Sequence, residues 1–311
     1  MTHLSHSVSG SEVFQDIAEG VCSSSQAGLD LCRLVILEHS VLQGHLGEVH
    51  SATRLPGLTN QVFWLDSVEG AFVLRLPRPE TLGLIDRAAE KFNLEVAANA
   101  GVALSPVFCD PASGVLLSIA ITQKQEPVLP ADLGRLVGRL HQCETRFKGE
   151  FDFAKLVAAQ MALLTGREDL LIRFAPLAAA LAGLLPVEET GLVCSHCDLS
   201  PGNVLSSAAG PILIDFEYAA MGPAAWDLAY AVLEHAYGPR DEANFLQGYC
   251  ETGRAVPSVG ELRSMKVRCD ALSALWALAQ SAQGNDAGDF VAFADLRIAR
   301  ALKAADGTPS L

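Results

Sequence analysis

Positive charge is scarce in this chain. Its 311 residues include 22 lysines and arginines against 36 aspartates and glutamates, which gives a formal net charge of −14, and no basic run of any length occurs. Nucleic acids and anionic membrane surfaces attract proteins through clustered cations, so the sequence argues against both as partners. A cationic small molecule is easier to accommodate on such a protein.

Long apolar runs and secretion signals are also missing. The longest apolar stretch, residues 174–187, contains two prolines and is too short to cross a bilayer. The opening residues, MTHLSHSVSGSEVF, lack a basic patch followed by an apolar run. Eight scattered cysteines then indicate free thiols, and we expect the protein to work in the reducing cytoplasm.

A complete zinc-binding pattern is absent as well. Cys194-Ser-His-Cys197 has the spacing of half a zinc site. No second ligand pair lies nearby in the sequence, and structural zinc sites need four ligands. We therefore set a zinc site aside.

The composition, with 50% apolar and 19% charged residues, is that of a folded chain long enough for two lobes. Strand-like patterns fall at 47–53, 61–67, 71–76, around 107, at 115–121 and in a short hairpin within 204–216. Helical patterns fall at 13–20, 84–101, 131–143, 153–165, 170–185, 226–235 and in several segments after 260. We therefore predict an α+β fold with an extension at 1–35, a sheet-rich N-terminal lobe at 36–123, a helical C-terminal lobe at 124–311 and a cleft between the lobes.

The segment HCDLSPGNVL, residues 196–205, carries the strongest chemical signal. Phosphoryl transfer needs a carboxylate that accepts the substrate hydroxyl's proton, together with an amide oxygen and a second carboxylate that hold magnesium. Asp198, Asn203 and Asp215, the last beyond the predicted hairpin, supply that set. The alternative is a polar turn before a strand, because Asp, Asn, Pro and Gly are all common turn residues.

The pattern HxDLxPxN followed by IDFEYA resembles the aminoglycoside phosphotransferase and choline/ethanolamine kinase superfamily. The resemblance implies a bilobal protein-kinase-like fold, ATP and magnesium as cofactors, Asp198 as catalytic base and Asn203 and Asp215 as metal ligands. His196 would brace the loop, while Glu217 would either aid a second metal or support the loop. The arginine of HRD, the DFG and APE motifs and a G-x-G-x-x-G-x-V loop are absent, which disfavours a protein kinase.

The predicted strand 71–76 can be tested against this hypothesis, since a nucleotide site needs a cation that reaches the phosphates. Strand alternation puts Val73 and Arg75 on one face, and Arg75 is the only charge in the strand. The guanidinium group of Arg75 can donate hydrogen bonds to two phosphate oxygens at once, and choline kinases are similar in using arginine at this position. Val73 would contact adenine, and we choose Glu90 over Glu95 as the partner of Arg75. The alternative is a solvated arginine at a sheet edge.

Two further segments resemble the same superfamily. Residues 56–60, PGLTN, are similar to its GGLTN or GGLSN loop, which implies that Thr59, Asn60 and backbone N–H groups cover the phosphates. The segment VLRLPRPETLGLIDRAAE resembles the "LR-(I/L)-x-G" strand and "I-(D/N)-R-x-x-E" helix start of choline kinases. Here Pro77-Arg-Pro replaces a common glycine, so we expect a stiffer loop.

A quaternary ammonium such as choline requires aromatic faces and one carboxylate. In the predicted helix 226–235, Asp227 and Glu234 lie on one face, and the resemblance to a DxxxxxxE pattern implies that Glu234 lines the choline pocket. The segment SALWALAQSAQ…FADLRIAR resembles "LWxxxQA…YAxxR", which implies Trp276 as a cage wall and a structural role for Arg297. Tyr237 is the predicted second wall. Ser273 and Phe293 depart from the family's tryptophan and tyrosine, so a full cage is not assured.

We expect an ATP- and Mg-dependent kinase that phosphorylates the hydroxyl of choline or of a related amino alcohol such as ethanolamine. The candidate substrate residues are Glu217, Glu234, Tyr237 and Trp276. One alternative is a phosphotransferase for another small molecule, such as an aminoglycoside or thiamine. The other is a catalytically silent nucleotide-binding regulator, against which the intact Asp198, Asn203 and Asp215 argue. A monomer and a homodimer are both compatible with the sequence.

Overall fold

The computed structural model describes residues 26–57, 60–78, 85–122, 126–184, 191–286 and 288–306. The predicted helix at 13–20 and the candidate phosphate-loop residue Thr59 lie outside these ranges. Within them, no helix combines the length and the apolar character that crossing a bilayer requires.

The first part of the chain forms a five-stranded antiparallel sheet. Its strands are β1 (Val49–Leu55), β2 (Asn60–Ser67), β3 (Gly70–Pro77), β4 (Phe108–Cys109) and β5 (Leu116–Ile119), in the order β1-β2-β3-β5-β4. All five were predicted, with ends shifted by a few residues. Alternation in β3 sends Phe72, Leu74 and Leu76 into the core of the sheet lobe and leaves Val73 and Arg75 on the other face.

Two helices that we did not predict precede the sheet. Helix α1 (Gln26–Glu38) and helix α2 (Ser40–Leu46) bury Cys32, Ile36 and Leu42 in the same core as the strands. Helix α1 crosses the boundary that we placed at residue 35. Residues 26–35 therefore pack with the sheet lobe, because their apolar positions cover one of its faces.

Helix α3 (Arg87–Asn99) follows β3 and begins at Asp86, whose carboxylate accepts hydrogen bonds from the backbone N–H groups of Ala88 and Ala89 at 3.1 and 2.9 Å. The helix was predicted from the helical spacing of its apolar residues, but none of these apolar positions is fully buried: Ile85, Ala88, Ala89, Phe92 and Val96. The buried residues are Glu90, Asn93, Leu94 and Ala97. Polar side chains turn inward here because they have partners in the candidate site.

The second part of the chain is mostly helical. Its helices are α4 (Pro130–Leu140), α5 (Phe153–Leu163), α6 (Glu168–Ala182), α7 (Ala224–Glu234), α8 (Pro239–Cys250), α9 (Val259–Ala282) and α10 (Phe290–Ala305). Two antiparallel strand pairs accompany them, β6 (Val193–Ser195) with β9 (Ala220–Gly222) and β7 (Val204–Ser207) with β8 (Gly210–Leu213). Helix α8 and the pair β6–β9 were not predicted. The sheet-rich part and the larger helical part confirm the predicted α+β bilobal class.

Helices α4 and α8 approach each other through two glycines. A Cβ atom at Gly134 would overlap the backbone of Phe245, and one at Gly248 would overlap the backbone of Ala131. This close approach lets His141, just after α4, reach the hydroxyl of Tyr249 in α8 at 3.0 Å.

Candidate active site

Asp198 and Asn203 meet in the loop between β6 and β7. The loop ends in a single 3₁₀ turn, Pro201–Asn203. The amide nitrogen of Asn203 donates to the Asp198 carboxylate at 2.8 Å and to the Asp198 carbonyl at 3.0 Å. Because the nitrogen of Asn203 is engaged in this way, its oxygen is the atom that can serve a metal ion.

Asp227, near the start of α7, anchors the same loop. Its fully buried carboxylate accepts hydrogen bonds from the backbone N–H groups of His196 at 2.8 Å and Cys197 at 2.9 Å, and lies 3.0 Å from the Nε2 of His141. Cys197 has a φ of 66°, which is strained for a residue with a side chain. The two amide bonds hold that conformation, and Asp198 follows directly. The Asp227 carboxylate therefore positions the predicted base.

His196 braces two loops, as we expected. It is buried, its Nε2 donates to the carbonyl of Ile214 at 2.9 Å, and its Nδ1 accepts from the Asp198 N–H at 3.3 Å. Burial lowers the pKa of His196 and keeps its ring neutral. The contact fixes the position of Asp215, whose φ of 64° is also left-handed.

Arg75 on β3 connects the sheet lobe to Asp215. It contacts both carboxylate oxygens of Glu90, one through Nη1 and the other from Nη2 at 2.9 Å, while Nη1 also donates to Asp215 at 3.1 Å. Arg75 and Glu90 are 6% and 3% exposed, whereas Glu95 is exposed to solvent. The structure thus pairs Arg75 with Glu90, as we predicted. The guanidinium group of Arg75 also faces Asp215, the predicted metal ligand.

A second buried network joins the lobes at Glu217. The amide of Asn60 donates to Glu217 at 2.9 Å, and the Nη1 of Arg87 lies 3.3 Å from the same oxygen. Arg87 also donates to Glu90 at 2.8 Å and to the oxygen of Asn60 at 3.1 Å. Glu217 is thereby occupied by partners, which suits the support role that we left open rather than contact with a substrate. Arg87 was not among the predicted residues, although the helix-start pattern that we compared contains it.

Asn93 is a further residue that sequence reasoning missed. It is fully buried on α3, where its amide donates to the carbonyls of Lys148 and Ala219 at 3.1 and 2.7 Å and its oxygen accepts from the Lys148 N–H at 2.8 Å. The amide thus ties α3 to the helical lobe and keeps Glu90 in register with β3.

Carboxylates crowd the junction of the lobes. Burial, together with the charge of Glu217, raises the pKa of Asp215 to about 8 even though Arg75 acts in the opposite sense. Burial and the charge of Glu234 raise the pKa of Asp198 to about 6. Both pKa values are raised because the carboxylates are buried close to other negative charges. A cation bound between Asn203 and Asp215 would offset that negative charge.

The donor set fits magnesium held on a nucleotide. Within the described ranges, no group of three or more His, Cys, Asp or Glu side chains has the arrangement of a metal site of their own. Mg²⁺ usually takes one or two protein oxygens and completes its shell with phosphate and water. One carboxylate from Asp215 and one amide oxygen from Asn203 match that demand.

On the predicted acceptor side, Glu234 lies near Asp198 but is paired. Arg297 lies 2.7 Å from one of its carboxylate oxygens and donates to the other at 2.8 Å. Tyr230, which we did not predict, lies beside Asp198, where its hydroxyl opposes the rise in the pKa of that carboxyl, and its ring stacks on Trp226 at a centroid distance of 6.2 Å. Its position one turn before Glu234 on α7 is the sequence feature that could have identified it.

The two predicted cage walls lie in different apolar clusters. Tyr237 packs on the ring of Phe245 at 5.8 Å, and Trp276 packs on Phe290 at 5.6 Å. Neither ring contact includes Glu234. Both rings pack against apolar side chains, as aromatic residues in helices usually do. A cage formed by both rings therefore remains a prediction.

Residues 51–262, which include Arg75, Asp198 and Asp215, match the phosphotransferase enzyme family. The chain belongs to this family. Among curated proteins, the phosphotransferase is 26% identical to Protein LicA of Haemophilus influenzae over 257 residues, which cover 76% of each chain.

Solved structures share the fold of the phosphotransferase. A choline/ethanolamine kinase family protein from Mesorhizobium loti is 29% identical, with a TM-score of 0.69 over 90% of this chain and 95% of the other. The choline kinase LicA from Streptococcus pneumoniae is 24% identical, with a TM-score of 0.72 over 89% and 99%. A spectinomycin phosphotransferase in complex with ADP and spectinomycin is 14% identical, with a TM-score of 0.57 over 88% and 97%. The protein-kinase-like fold that we predicted is thereby confirmed.

We expect His235, the residue after the end of α7, to make the stability of the phosphotransferase depend on pH. Its Nε2 is buried without a hydrogen-bond partner among the described residues, and burial lowers the pKa of His235 from 6.5 to about 4. Below pH 6.5 the unfolded chain binds a proton that the folded chain refuses until about pH 4, so stability falls as the pH drops through this window. We expect His235→Asn to remove roughly 2–3 kcal/mol of that loss between pH 7 and 4.5.

Urea unfolding at both pH values measures this effect. His50→Asn, at an exposed site on β1, is the matched control. Equal pH dependence in wild type and His235→Asn would contradict the prediction.

Proposed function

We propose that the chain transfers the γ-phosphoryl group of ATP to the hydroxyl of a small cationic amino alcohol, with choline as the first candidate and ethanolamine as the second. The observation that carries the proposal is the position of Glu234, close enough to Asp198 that its charge helps to raise the pKa of Asp198. A negative group thus lies beside the carboxylate that the acceptor hydroxyl has to approach. The likeness to the choline and ethanolamine kinases supports the same acceptor class.

Each residue of the candidate site has a separate role in the proposed phosphoryl transfer. Asp198 accepts the proton of the acceptor hydroxyl, and its raised pKa makes it a stronger base than an ordinary carboxylate. Arg75, fixed by Glu90, directs its fork at the phosphates. Magnesium held by Asn203 and Asp215 would neutralise charge on the nucleotide phosphates.

The nucleotide contacts of the sheet lobe are also part of the proposal. Val73 lies half-buried on the same face of β3 as Arg75, where adenine would pack. Thr59, which precedes β2 in the sequence, and Asn60, the first residue of β2, would cover the phosphates. We propose that residues 26–123 bind the nucleotide, that residues 124–311 bind the acceptor, and that the cytoplasm is the working location.

The acceptor site would combine one carboxylate with one aromatic ring. Tyr230 contacts Asp198, and Glu234 follows it by one turn of α7. Arg297 neutralises part of the charge of Glu234, so the site favours a cation that is bound weakly by charge and held by the ring. Tyr237 and Trp276 stay as candidates for further walls.

An acceptor panel tests the proposal. Choline, ethanolamine, thiamine and an aminoglycoside are each incubated with γ-labelled ATP and magnesium, and choline or ethanolamine should be the best acceptor. Glu234→Gln should raise the KM for the amino alcohol about tenfold, equivalent to about 1.4 kcal/mol, and leave the KM for ATP unchanged.

The matched control for this experiment is Glu251→Gln, at an exposed glutamate paired with Arg135. Labelling of an aminoglycoside or thiamine without labelling of either amino alcohol would sink the proposal. Labelling of no acceptor, with nucleotide still bound, would instead favour the silent regulator.

A further inference from the structure

A cavity of about 280 Å³ lies beside the β6–β9 pair, apart from the residues to which we assign phosphoryl transfer. Pockets for small molecules have volumes of about 300–1,000 Å³, so this one suits a small metabolite. The chemistry of its lining comes from Arg146, Arg254, Cys143 and Cys194. None of these four has a role in the proposed function.

The lining is basic in a strongly acidic protein. Two of the nine described lining residues are arginines and none is a carboxylate, although the chain as a whole carries a net charge of −14. Across the described part of the chain, neither Arg146 nor Arg254 forms a salt bridge, whereas Arg75, Arg87, Arg297 and Arg300 all do. Other arginines of this described part, such as Arg139 and Arg240, also lack a salt bridge, and it is the shared position of Arg146 and Arg254 at one cavity that makes both available to an anion.

A chain of polar contacts leads from the cavity to the loop of residues 196–203, which carries Asp198 and is called the catalytic loop below. Arg254 lies close enough to Tyr249 to oppose the rise that burial causes in the pKa of its hydroxyl, and that hydroxyl lies 3.0 Å from the Nδ1 of His141. The Nε2 of His141 lies 3.0 Å from Asp227, a carboxylate that can only accept, so Nε2 carries the proton and Nδ1 accepts from Tyr249. Asp227 in turn holds the backbone amides of His196 and Cys197. From Tyr249 to these amides, each link is a hydrogen bond.

We propose that this cavity binds a small phosphate-bearing anion between Arg146 and Arg254, and that its binding stabilises the catalytic loop through Tyr249, His141 and Asp227. Phosphate is the favoured anion because two planar forks can each donate two N–H groups to its tetrahedral oxygens. An anion that fixes Arg254 also fixes the hydroxyl of Tyr249. Every bond along the chain then fluctuates less.

Calorimetric titration tests the binding. Inorganic phosphate and glycerol 3-phosphate are each titrated into wild type and into the variants Arg146→Gln and Arg254→Gln, and the tighter ligand distinguishes free phosphate from a phosphate ester. We expect one saturable site, weakened about tenfold by either substitution. Arg173→Gln removes the same charge from an exposed arginine paired with Asp295, and should bind like wild type. Absence of saturable binding, or binding that survives both pocket substitutions, would overturn the proposed site.

Hydrogen exchange tests the coupling. Saturating phosphate should slow exchange of the His196 and Cys197 amides about threefold in wild type, because a loop that opens less exchanges less. Tyr249→Phe keeps the shape of the buried side chain but removes the hydroxyl link, so it should bind phosphate without slowing exchange. Equal slowing in this variant, or none in wild type, would refute the coupling. Neither readout uses phosphoryl transfer, so the outcome does not depend on the proposed acceptor.

Discussion

Replacing Asp198 by asparagine should lower kcat about a thousandfold, within the range of 10²–10⁴ that general bases contribute. The amide has the shape of the carboxylate and can still bond to Asn203, so the loop keeps its structure. It cannot take the proton from the acceptor hydroxyl. Because the nucleotide is held by other residues, the KM for ATP should change little.

Steady-state kinetics with the best acceptor measure this effect. Asp295→Asn changes an exposed aspartate on α10 that pairs with Arg173, and provides the matched control. Turnover like that of wild type in Asp198→Asn would remove the base assignment.

Replacing Asp227 by alanine should lower the free energy of unfolding by about 3–5 kcal/mol, because three buried hydrogen-bond donors lose the acceptor that they share. The substitution leaves the N–H groups of His196 and Cys197 and the ring of His141 without their acceptor. Unpaired buried donors cost about 1–3 kcal/mol each, and the strained conformation of Cys197 loses its support. The same variant should lose most of its turnover, since Asp198 is attached to the loop that relaxes.

Urea unfolding at pH 7 provides the comparison for this variant. Asp295→Ala should fall within about 0.5 kcal/mol of wild type, as surface changes usually do. A loss below about 1 kcal/mol in Asp227→Ala would show that the loop does not depend on this anchor.

The arrangement of the candidate active site was the most predictable part of the structure. Asp198, Asn203 and Asp215 lie close in sequence, so the loop and its hairpin alone bring them near one another. Arg75 and Glu90 followed from two local rules: a lone charge in an apolar strand, and an acid on the next helix.

Residues that connect distant parts of the chain could not be predicted in the same way. Arg87 and Asn93 lie on α3, and each has a partner in a segment more than 50 residues away. The helical pattern assigned the buried face to apolar residues, but tertiary hydrogen bonds turned Glu90 and Asn93 inward. Short strands such as β6 and β9, with three residues each, carry too little periodicity to be seen.

The acceptor side was the least predictable. Glu234 was found from its spacing, but its pairing with Arg297 arises from packing of α7 against α10, which are far apart in the sequence. Aromatic residues in helices pack in apolar clusters as readily as around ligands, and Tyr237 and Trp276 do so here. Tyr230 could have been predicted, because it lies on the same helix as Glu234 and one turn before it.

The contacts of Asn60, Arg75 and Arg87 with the segment after β8 also resist separation of the two lobes. Moving the lobes apart would break three hydrogen bonds to charged groups, each worth about 1.5–3 kcal/mol. The side chains that surround Asp215 and Glu217 therefore also fix how the sheet lobe sits on the helical lobe.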